Sequence, residues 1–252
     1  MKAIFVAWQD PKSRSWIPVG RLSRENGQFA FVYTVGAKQV HDAKRFIPFG
    51  RMTDLGAKYL SNELFPLFAN RILPKSRPEY RDYLEWLSLG QEENGELEVL
   101  ARSGGVRATD TLEIFPCPEP TEDNRYAAHF FSRGIRHLLP ENQTRISTLE
   151  AGQRLFIMRD VQNKADPDAL LLRTDDPMAE VGYCPRYFSS EFTELIGLVG
   201  ADNVLARVER VNPRAPIQFR LLCQISAPWP KGFNPCSMEQ FKTLAGEQTA
   251  IV

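Results

Sequence analysis

Nine residues near the middle of the chain, Pro116–Asn124, separate its apolar patterns into two sets. They include three prolines and three acidic residues, and none has a large apolar side chain. Prolines at this density keep a segment extended, and a segment without apolar groups contributes little to a core. We therefore predict a semi-rigid linker at residues 116–125 between two domains, 1–115 and 126–228, with a tail at 229–252.

Alternating apolar residues in the N-terminal half predict a β-sheet. The strand-like stretches are Ala3–Trp8, Trp16–Leu22, Gln28–Val35, Glu96–Arg102 and Thr111–Phe115. Asn26-Gly27 is a good hairpin signal between the second and third of them. Two helices are expected within this half. Leu64–Leu73 carries a proline in its first turn and stops before Pro74, whereas the second helix starts at Ser76–Glu79 with capping-box spacing and ends before Gly90.

The C-terminal half alternates in a similar way. Its predicted strands are Ala127–Leu138, Gly152–Asp160, Ala169–Arg173, Glu180–Arg186, Val204–Val211 and Ile217–Ile225, and its predicted helix is Ser190–Val199. Short strands with one helix favour a closed or partly open barrel, which leaves few exposed edges. The tail has no regular period. The fold class predicted for the whole chain is mostly β with few helices, that is, α+β.

One loop in the second half is rich in turn-forming residues. Gln162–Asp168 separates two apolar strands, which makes a shaped loop and not a tight hairpin. Asn163, Asp166 and Asp168 can each bind backbone N–H groups there, and Pro167 fixes one backbone angle. Such a loop on a rigid barrel edge is either a purely structural turn or a binding site.

Charge and composition narrow the class of function. The chain has 31 basic and 31 acidic residues, and this balance argues against non-specific binding of duplex DNA. A small site for a strand end needs only a few positioned groups. Four arginines lie within fourteen residues, and they indicate either an exposed strand face or phosphate contacts: Arg207, Arg210, Arg214 and Arg220.

The sequence lacks the motifs of membrane segments, metal sites and the common enzyme classes. No run of eighteen apolar residues exists, and the apolar N-terminal stretch is too short for a signal sequence. The four cysteines are far apart, and the three histidines have no metal-ligand spacing, so we expect no metal, no cofactor and a reduced cytoplasmic protein. No nucleophile elbow, Walker loop or dinucleotide fingerprint is present, so we expect no enzyme.

Four motifs in order along the second half resemble the HIRAN domain over about residues 126–228. They are Gly134-Ile135-Arg136-His137, Leu149-x-x-Gly152-x-x-Leu155, Asp160-x-x-Asn163-x-x-Asp166-x-x-Ala169 and Val181-Gly182-Tyr183-x-Pro185-Arg186. The resemblance implies a small β-barrel related to OB and SH3 barrels, which holds single-stranded DNA at a free 3′ end.

The resemblance also implies the residues of a DNA site. Asp166 matches the family's acidic residue at the strand end, Arg136 its first arginine, and Arg186 its basic residue after the Val-Gly strand. His137 stands where DNA-binding members have a tyrosine, and Ala165 replaces a second aromatic residue. Losing one stacking surface costs about 1–3 kcal/mol per base. Tyr183 either compensates for this loss or is a core residue.

The N-terminal half resembles the N-terminal subdomain of HipA-type toxin kinases over roughly residues 1–90. The likeness lies in Val19-Gly20-Arg21-Leu22, in the Phe-Ala-Phe-Val-Tyr strand at 29–33, and in Leu67–Pro74. No kinase phosphate loop or catalytic Asp–Asn pair is visible. The resemblance therefore implies a detached scaffold or a module that docks a partner protein.

The sequence leaves three functional hypotheses. The first is a non-enzymatic adaptor for DNA repair or genome defence, which binds single-stranded or 3′-end-containing DNA through Arg136, His137, Asp166, Tyr183 and Arg186 and docks a partner protein through its first half. The alternative is a protein–protein regulator, antitoxin-like, without DNA binding, which the zero net charge and Ala165 favour. An unrecognised hydrolase is the third.

Overall fold

The computed structural model describes residues 3–90, 95–107, 109–164, 166–244 and 249–251. These residues form two units, each with a six-stranded sheet. The first unit comprises Met1–Arg77, Glu92–Cys117 and Asn234–Val252, and the second comprises Pro78–Gln91 and Pro118–Phe233. The chain is mostly β with six α-helices among its described residues, which confirms the predicted fold class.

The first sheet has the strand order β12-β4-β3-β2-β1-β5. Its strands are β1 (Ala3–Gln9), β2 (Trp16–Glu25), β3 (Gln28–Tyr33), β4 (Lys58–Ser61), β5 (Leu112–Pro116) and β12 (Thr249–Ile251). The hairpin predicted at Asn26-Gly27 is present between β2 and β3, where both residues have positive φ angles of 49° and 85°. Aromatic residues of β3 lie at the centre of this unit's core, where Phe31 and Tyr33 are fully buried.

Three helices belong to the first unit: α1 (Val35–Asp42), α2 (Pro66–Ala69) and α4 (Glu96–Ser103). α1 was not predicted, and α2 is a single turn inside the longer helix predicted at Leu64–Leu73. The strand predicted at Glu96–Arg102 is wrong, because this segment is α4. Leu97 and Val99 alternate as in a strand, but Leu97, Leu100 and Ala101 form a buried helical stripe, and left-handed Gly104 caps the helix.

The second sheet has the strand order β6-β11-β10-β7-β8-β9 and curls into a half-barrel. Its strands are β6 (Arg125–Phe131), β7 (Arg154–Arg159), β8 (Leu170–Arg173), β9 (Glu180–Tyr183), β10 (Leu205–Val211) and β11 (Leu221–Pro228). β6 is shorter than the predicted Ala127–Leu138 because left-handed Gly134 turns the chain into a 3₁₀ turn, Ile135–His137. β11 likewise starts after a 3₁₀ turn at Ile217–Phe219, within the predicted strand.

The second unit also contains three helices, where one was predicted: α3 (Tyr80–Trp86), α5 (Pro140–Ile146) and α6 (Ser189–Val199). α6 confirms the helix predicted from Ser190, and its buried Phe192 and Leu195 face the sheet core. α3 is the predicted second helix, but it groups with the second unit because Tyr83 and Trp86 pack on the ring of Phe219.

The predicted tail at 229–252 is divided between the two units. Trp229 and Phe233 pack with Tyr126 in the second unit. From Asn234 onward the chain belongs to the first unit, where the Val35 N–H donates to the Lys242 carbonyl at 2.8 Å and β12 pairs in parallel with β4. From Asn234 onward the tail is therefore a structural part of the first unit, despite its lack of a sequence period.

Candidate nucleic-acid interface

The loop between β7 and β8 is closed by backbone and side-chain hydrogen bonds. The Asp160 N–H donates to the Ala169 carbonyl at 2.9 Å. Asn163 Oδ1 accepts from the Asp166 N–H at 3.0 Å, and Asp166 Oδ1 accepts from the Asp168 N–H at 3.1 Å. The turn-capping role predicted for Asn163 and Asp166 is thus confirmed, whereas Asp168 Oδ1 accepts from Arg159 Nη2 at 2.9 Å. These hydrogen bonds fix the arrangement of the described loop residues.

Asp160 connects this loop to β9. Its Oδ2 accepts from the Tyr183 hydroxyl at 2.9 Å and from Asn163 Nδ2 at 3.3 Å. Burial, the hydrogen bond to Asp160 and the negative charge of that carboxylate together raise the pKa of Tyr183 to about 12. Tyr183 therefore remains a protonated donor at neutral pH. Its side chain is half-buried and not fully in the core, so part of the ring faces solvent.

Asp166 and Arg186 form an ion pair beside Tyr183. Arg186 Nε lies 3.2 Å from Asp166 Oδ2, and the two side chains are 25% and 15% exposed. Arg186 opens the 3₁₀ turn Arg186–Phe188 directly after β9, and this position carries it back toward the loop. An acceptor and a cation thus stand side by side at a partly open position.

Arg136 and His137 lie on the exposed 3₁₀ turn that follows β6. Arg136 Nε donates to His137 Nε2 at 3.0 Å, so the neutral imidazole carries its proton on Nδ1. Gly134 starts this turn with φ 74°, and a Cβ there would lie 3.2 Å from Tyr183 Cδ2. The absence of a side chain at Gly134 thus allows the turn to pack against the Tyr183 ring.

The structure therefore brings three of the five predicted residues together: Tyr183, Asp166 and Arg186. Arg136 and His137 bond to each other on the adjoining turn. Ala165, the predicted missing stacking surface, lies outside the described residues. Asp160 was not predicted as a site residue, although it is the first member of the Asp160-x-x-Asn163-x-x-Asp166 spacing.

The arginines clustered between 207 and 220 in sequence have different surroundings. Arg207 is exposed on β10, whereas Arg210 Nη2 lies 3.7 Å from Glu85 Oε2. Arg220 is half-buried, and its Nη2 donates to the Ala215 carbonyl at 3.5 Å. These residues do not act as one basic patch.

The described residues offer neither a metal site nor a membrane-spanning helix. They contain no group of three or more His, Cys, Asp or Glu side chains that could hold a metal ion. No helix within those ranges is long and apolar enough to cross a membrane.

The loop, β9 and the Gly134 turn all fall within one region of family similarity. Residues 126–226 match the HIRAN domain. This finding confirms the resemblance that the four motifs indicated. The match leaves residues 1–125 outside it, and no curated protein matches the chain.

Two solved structures resemble part of the chain. A structural-genomics protein from Lactobacillus plantarum is 18% identical over 41% of this chain and 96% of that chain, with a TM-score of 0.32. The HIRAN domain of human HLTF is 13% identical over 41% of this chain and 74% of that chain, with a TM-score of 0.29.

Proposed function

We propose that the second unit binds single-stranded DNA at a free 3′ end and that the protein is a non-enzymatic adaptor in DNA repair or genome defence. The observation that carries the proposal is the Asp166–Arg186 pair in the HIRAN-matched region, next to the half-buried Tyr183. A terminal nucleotide needs an acceptor for its hydroxyl, a cation for its phosphate and a flat surface for its base.

The three residues supply these functions in the order a strand end requires. Asp166 accepts the hydrogen bond of the terminal 3′-hydroxyl. Among the described residues, its Oδ1 accepts from the Asp168 N–H and its Oδ2 contacts Arg186, and each carboxylate oxygen can accept about two hydrogen bonds. Arg186 lies 3.2 Å from Asp166 through Nε, and its planar guanidinium suits bidentate binding of the adjoining phosphate. The ring of Tyr183, with His137 on the adjoining turn, offers the aromatic surface.

End recognition is tested by titrating two labelled oligonucleotides that differ only at the 3′ terminus. We expect a 3′-hydroxyl strand to bind at least about tenfold more tightly than a 3′-phosphate strand, because a charge-assisted hydrogen bond contributes roughly 1.5–3 kcal/mol and a phosphate meets the carboxylate's charge. Equal affinities would contradict end recognition. Absence of binding to either strand would favour the alternative, a protein–protein regulator without DNA binding.

The adaptor role assigns partner docking to the first unit, because residues 1–90 resemble the HipA-type subdomain and residues 1–77 of them belong to this unit. Its support is a half-open cavity of about 530 Å³ in that unit. The exposed residues Arg51 and Glu63 lie among the residues that line it. Most of the wall is formed by apolar residues: Phe49, Met52, Leu64, Phe65 and Leu67. A cavity of this size and composition suits an apolar side chain of a partner protein.

Docking is tested with a photo-crosslinking amino acid at Arg51 in cells that produce the full chain. We expect a discrete adduct that disappears in Leu67→Arg, which fills the cavity with a charge. The same probe at Lys75, an exposed residue of the same unit outside the cavity wall, is the control. Identical adducts at both positions would contradict docking at this cavity.

A further inference from the structure

The outer face of the second sheet carries an excess of arginine around one aromatic ring. Arg154 and Phe156 alternate with buried Leu155 along β7, so both point away from the core. The strand register places Arg173 of β8 opposite Phe156 and Arg207 of β10 opposite Arg154. Residues directly opposite each other in an antiparallel pair share a face. We call this set of four residues the arginine face.

The ring of Phe156 orders two of these cations. The guanidinium carbons of Arg154 and Arg173 lie 4.9 Å and 5.0 Å from its centroid. A guanidinium that stacks on a ring can still direct the N–H donors at its edge toward a phosphate. In Arg173, Nε donates to Met158 Sδ at 3.1 Å and Nη1 donates to the Thr174 carbonyl at 3.0 Å. The stack therefore holds both cations in place before a ligand binds, which lowers the entropy lost on binding.

Two carboxylates border this face: Asp175, and the exposed Glu180 of β9, which the strand register places opposite Arg173. Within the described part of the chain, no salt bridge involves Arg154 or Arg207. Arg207 Nη1 donates to the Gly152 carbonyl at 2.9 Å, and Arg173 lies 3.8 Å from Asp175, whose side chain is 76% exposed. An exposed pair at that distance contributes little. In a chain with zero net charge, this is a local positive surface.

The arginine face is continuous with the proposed strand-end site. Asp160 follows Phe156 by four positions at the end of β7 and lies on the same side, as its bond to Tyr183 shows. Six residue steps separate Arg154 from Asp160, which at about 3.3 Å per residue is about 20 Å. That length accommodates about six nucleotides of a stacked strand with one phosphate per ~3.4 Å.

We propose that the arginine face binds the body of the single strand whose 3′ end enters the Asp166 loop. The proposal rests on the proposed function and adds a second contact region to it. Arg154, Arg173 and Arg207 neutralise phosphates behind the terminal nucleotide, and Phe156 contacts a base or sugar between them. The binding site is then several nucleotides long, within the range known for one small barrel.

The test compares a 3′-hydroxyl dinucleotide with a ten-nucleotide strand that has the same 3′ end. The variants are Arg154→Ser/Arg207→Ser and Phe156→Leu, and the matched control is Arg214→Ser, an exposed arginine outside the face. We expect both variants to weaken the long strand and leave the dinucleotide unchanged. Loss of two phosphate contacts lowers the salt slope by about 1.4, so raising salt threefold weakens the wild type about fivefold more than the double variant.

Each other outcome overturns a defined statement. If neither variant changes the binding of either ligand, the arginine face is not part of the site, and strand-end binding stands. If both ligands weaken alike, the face acts through the loop and not through the strand body. If only a blunt duplex of the same length weakens, the occupant is a duplex. If the wild type binds no oligonucleotide, the proposed function fails and this inference fails with it.

Discussion

At the scale of single residues, Asp166 has two roles that one substitution separates. It shapes its own loop through the Asp168 N–H, and it pairs with Arg186. We expect Asp166→Asn to weaken binding of a 3′-hydroxyl strand about tenfold to a hundredfold, because a charge-assisted hydrogen bond is lost. Asn still caps the turn, so the Tm should change little.

Asp168→Asn is the matched control, since Asp168 lies in the same loop and pairs with Arg159, but both side chains are exposed and belong to no proposed site. It should leave the affinity unchanged. Equal losses in the two variants would mean that Asp166 affects binding only through the general charge of the loop. A purely structural Asp166 would instead lower the Tm and weaken every ligand alike.

Gly182 is a second position where a single substitution tests the structure, because its surroundings leave no space for a Cβ atom. Its φ is 112°, and an added Cβ would lie 2.1 Å from Ser132 Oγ and 2.6 Å from the Arg133 carbonyl. We therefore expect Gly182→Ala to destabilise the protein by about 2–4 kcal/mol in a urea titration, since both the space and the backbone angle exclude a side chain. Gly197 of α6 has nothing within 4 Å of its added Cβ, so Gly197→Ala should be neutral or slightly stabilising. A similar cost at both positions would contradict the close packing of β9.

At the scale of elements, local signals were predictable from sequence and long-range ones were not. The Asn26-Gly27 hairpin, α6 and the Asx caps of the Asp166 loop depend on neighbouring residues. The Tyr183–Asp160 bond joins residues 23 positions apart and depends on strand register, which no local pattern encodes. α4 was misread because its two-residue alternation is also compatible with a helix. Asp166 and Arg186 were expected as site residues only through the family resemblance, and the contact between them was not predicted.

The contact between α6 and β6 makes stability depend on pH. The Tyr126 hydroxyl donates to Glu191 at the first turn of α6. Burial and the charge of the nearby Glu194 outweigh this hydrogen bond, which lowers the pKa, and together they raise the pKa of Glu191 to about 7. The folded protein thus holds a proton between pH 4.5 and 7 that the unfolded chain has lost, so this group's contribution to stability falls as pH rises through that window.

We expect Glu191→Gln to remove that fall. Above pH 7, the free energy of unfolding of Glu191→Gln should exceed that of the wild type by about 1 kcal/mol or more, and its Tm should be higher accordingly. This difference between the two proteins should shrink toward pH 4. Glu194→Gln, on the exposed side of the same helix, is the control and should give a smaller effect. If the difference in Tm between the wild type and Glu191→Gln does not vary with pH, the pKa of Glu191 is not raised.

At the scale of the whole molecule, the chain passes between the two units four times, after Arg77, Gln91, Cys117 and Phe233. The first two passages flank the segment that contains α3, and the other two lead to a prediction. One is the predicted Pro-rich linker, whose residues 119–124 are exposed and end in a turn where the Thr121 N–H donates to the Arg125 carbonyl at 2.9 Å. The other is the return of the chain after Phe233 into the first unit. The sequence predicted the linker from its composition. The return after Phe233 was missed because its contacts, such as Phe241 on Phe5 at 5.1 Å, join opposite ends of the chain.

A glutamyl endopeptidase provides the test, because Glu122 lies in the exposed turn whereas Glu119 is protected by the following Pro120. We expect early cleavage after Glu122 into two fragments that co-elute in native buffer, since residues 234–252 of the C-terminal fragment remain packed in the first unit. Phe241→Ala removes a ring that contacts both Phe5 and Phe115, so its nicked fragments should separate at lower urea than those of the nicked wild type. Resistance of the Glu122 bond would contradict an open linker. Fragments that part in native buffer would contradict the return of the chain into the first unit.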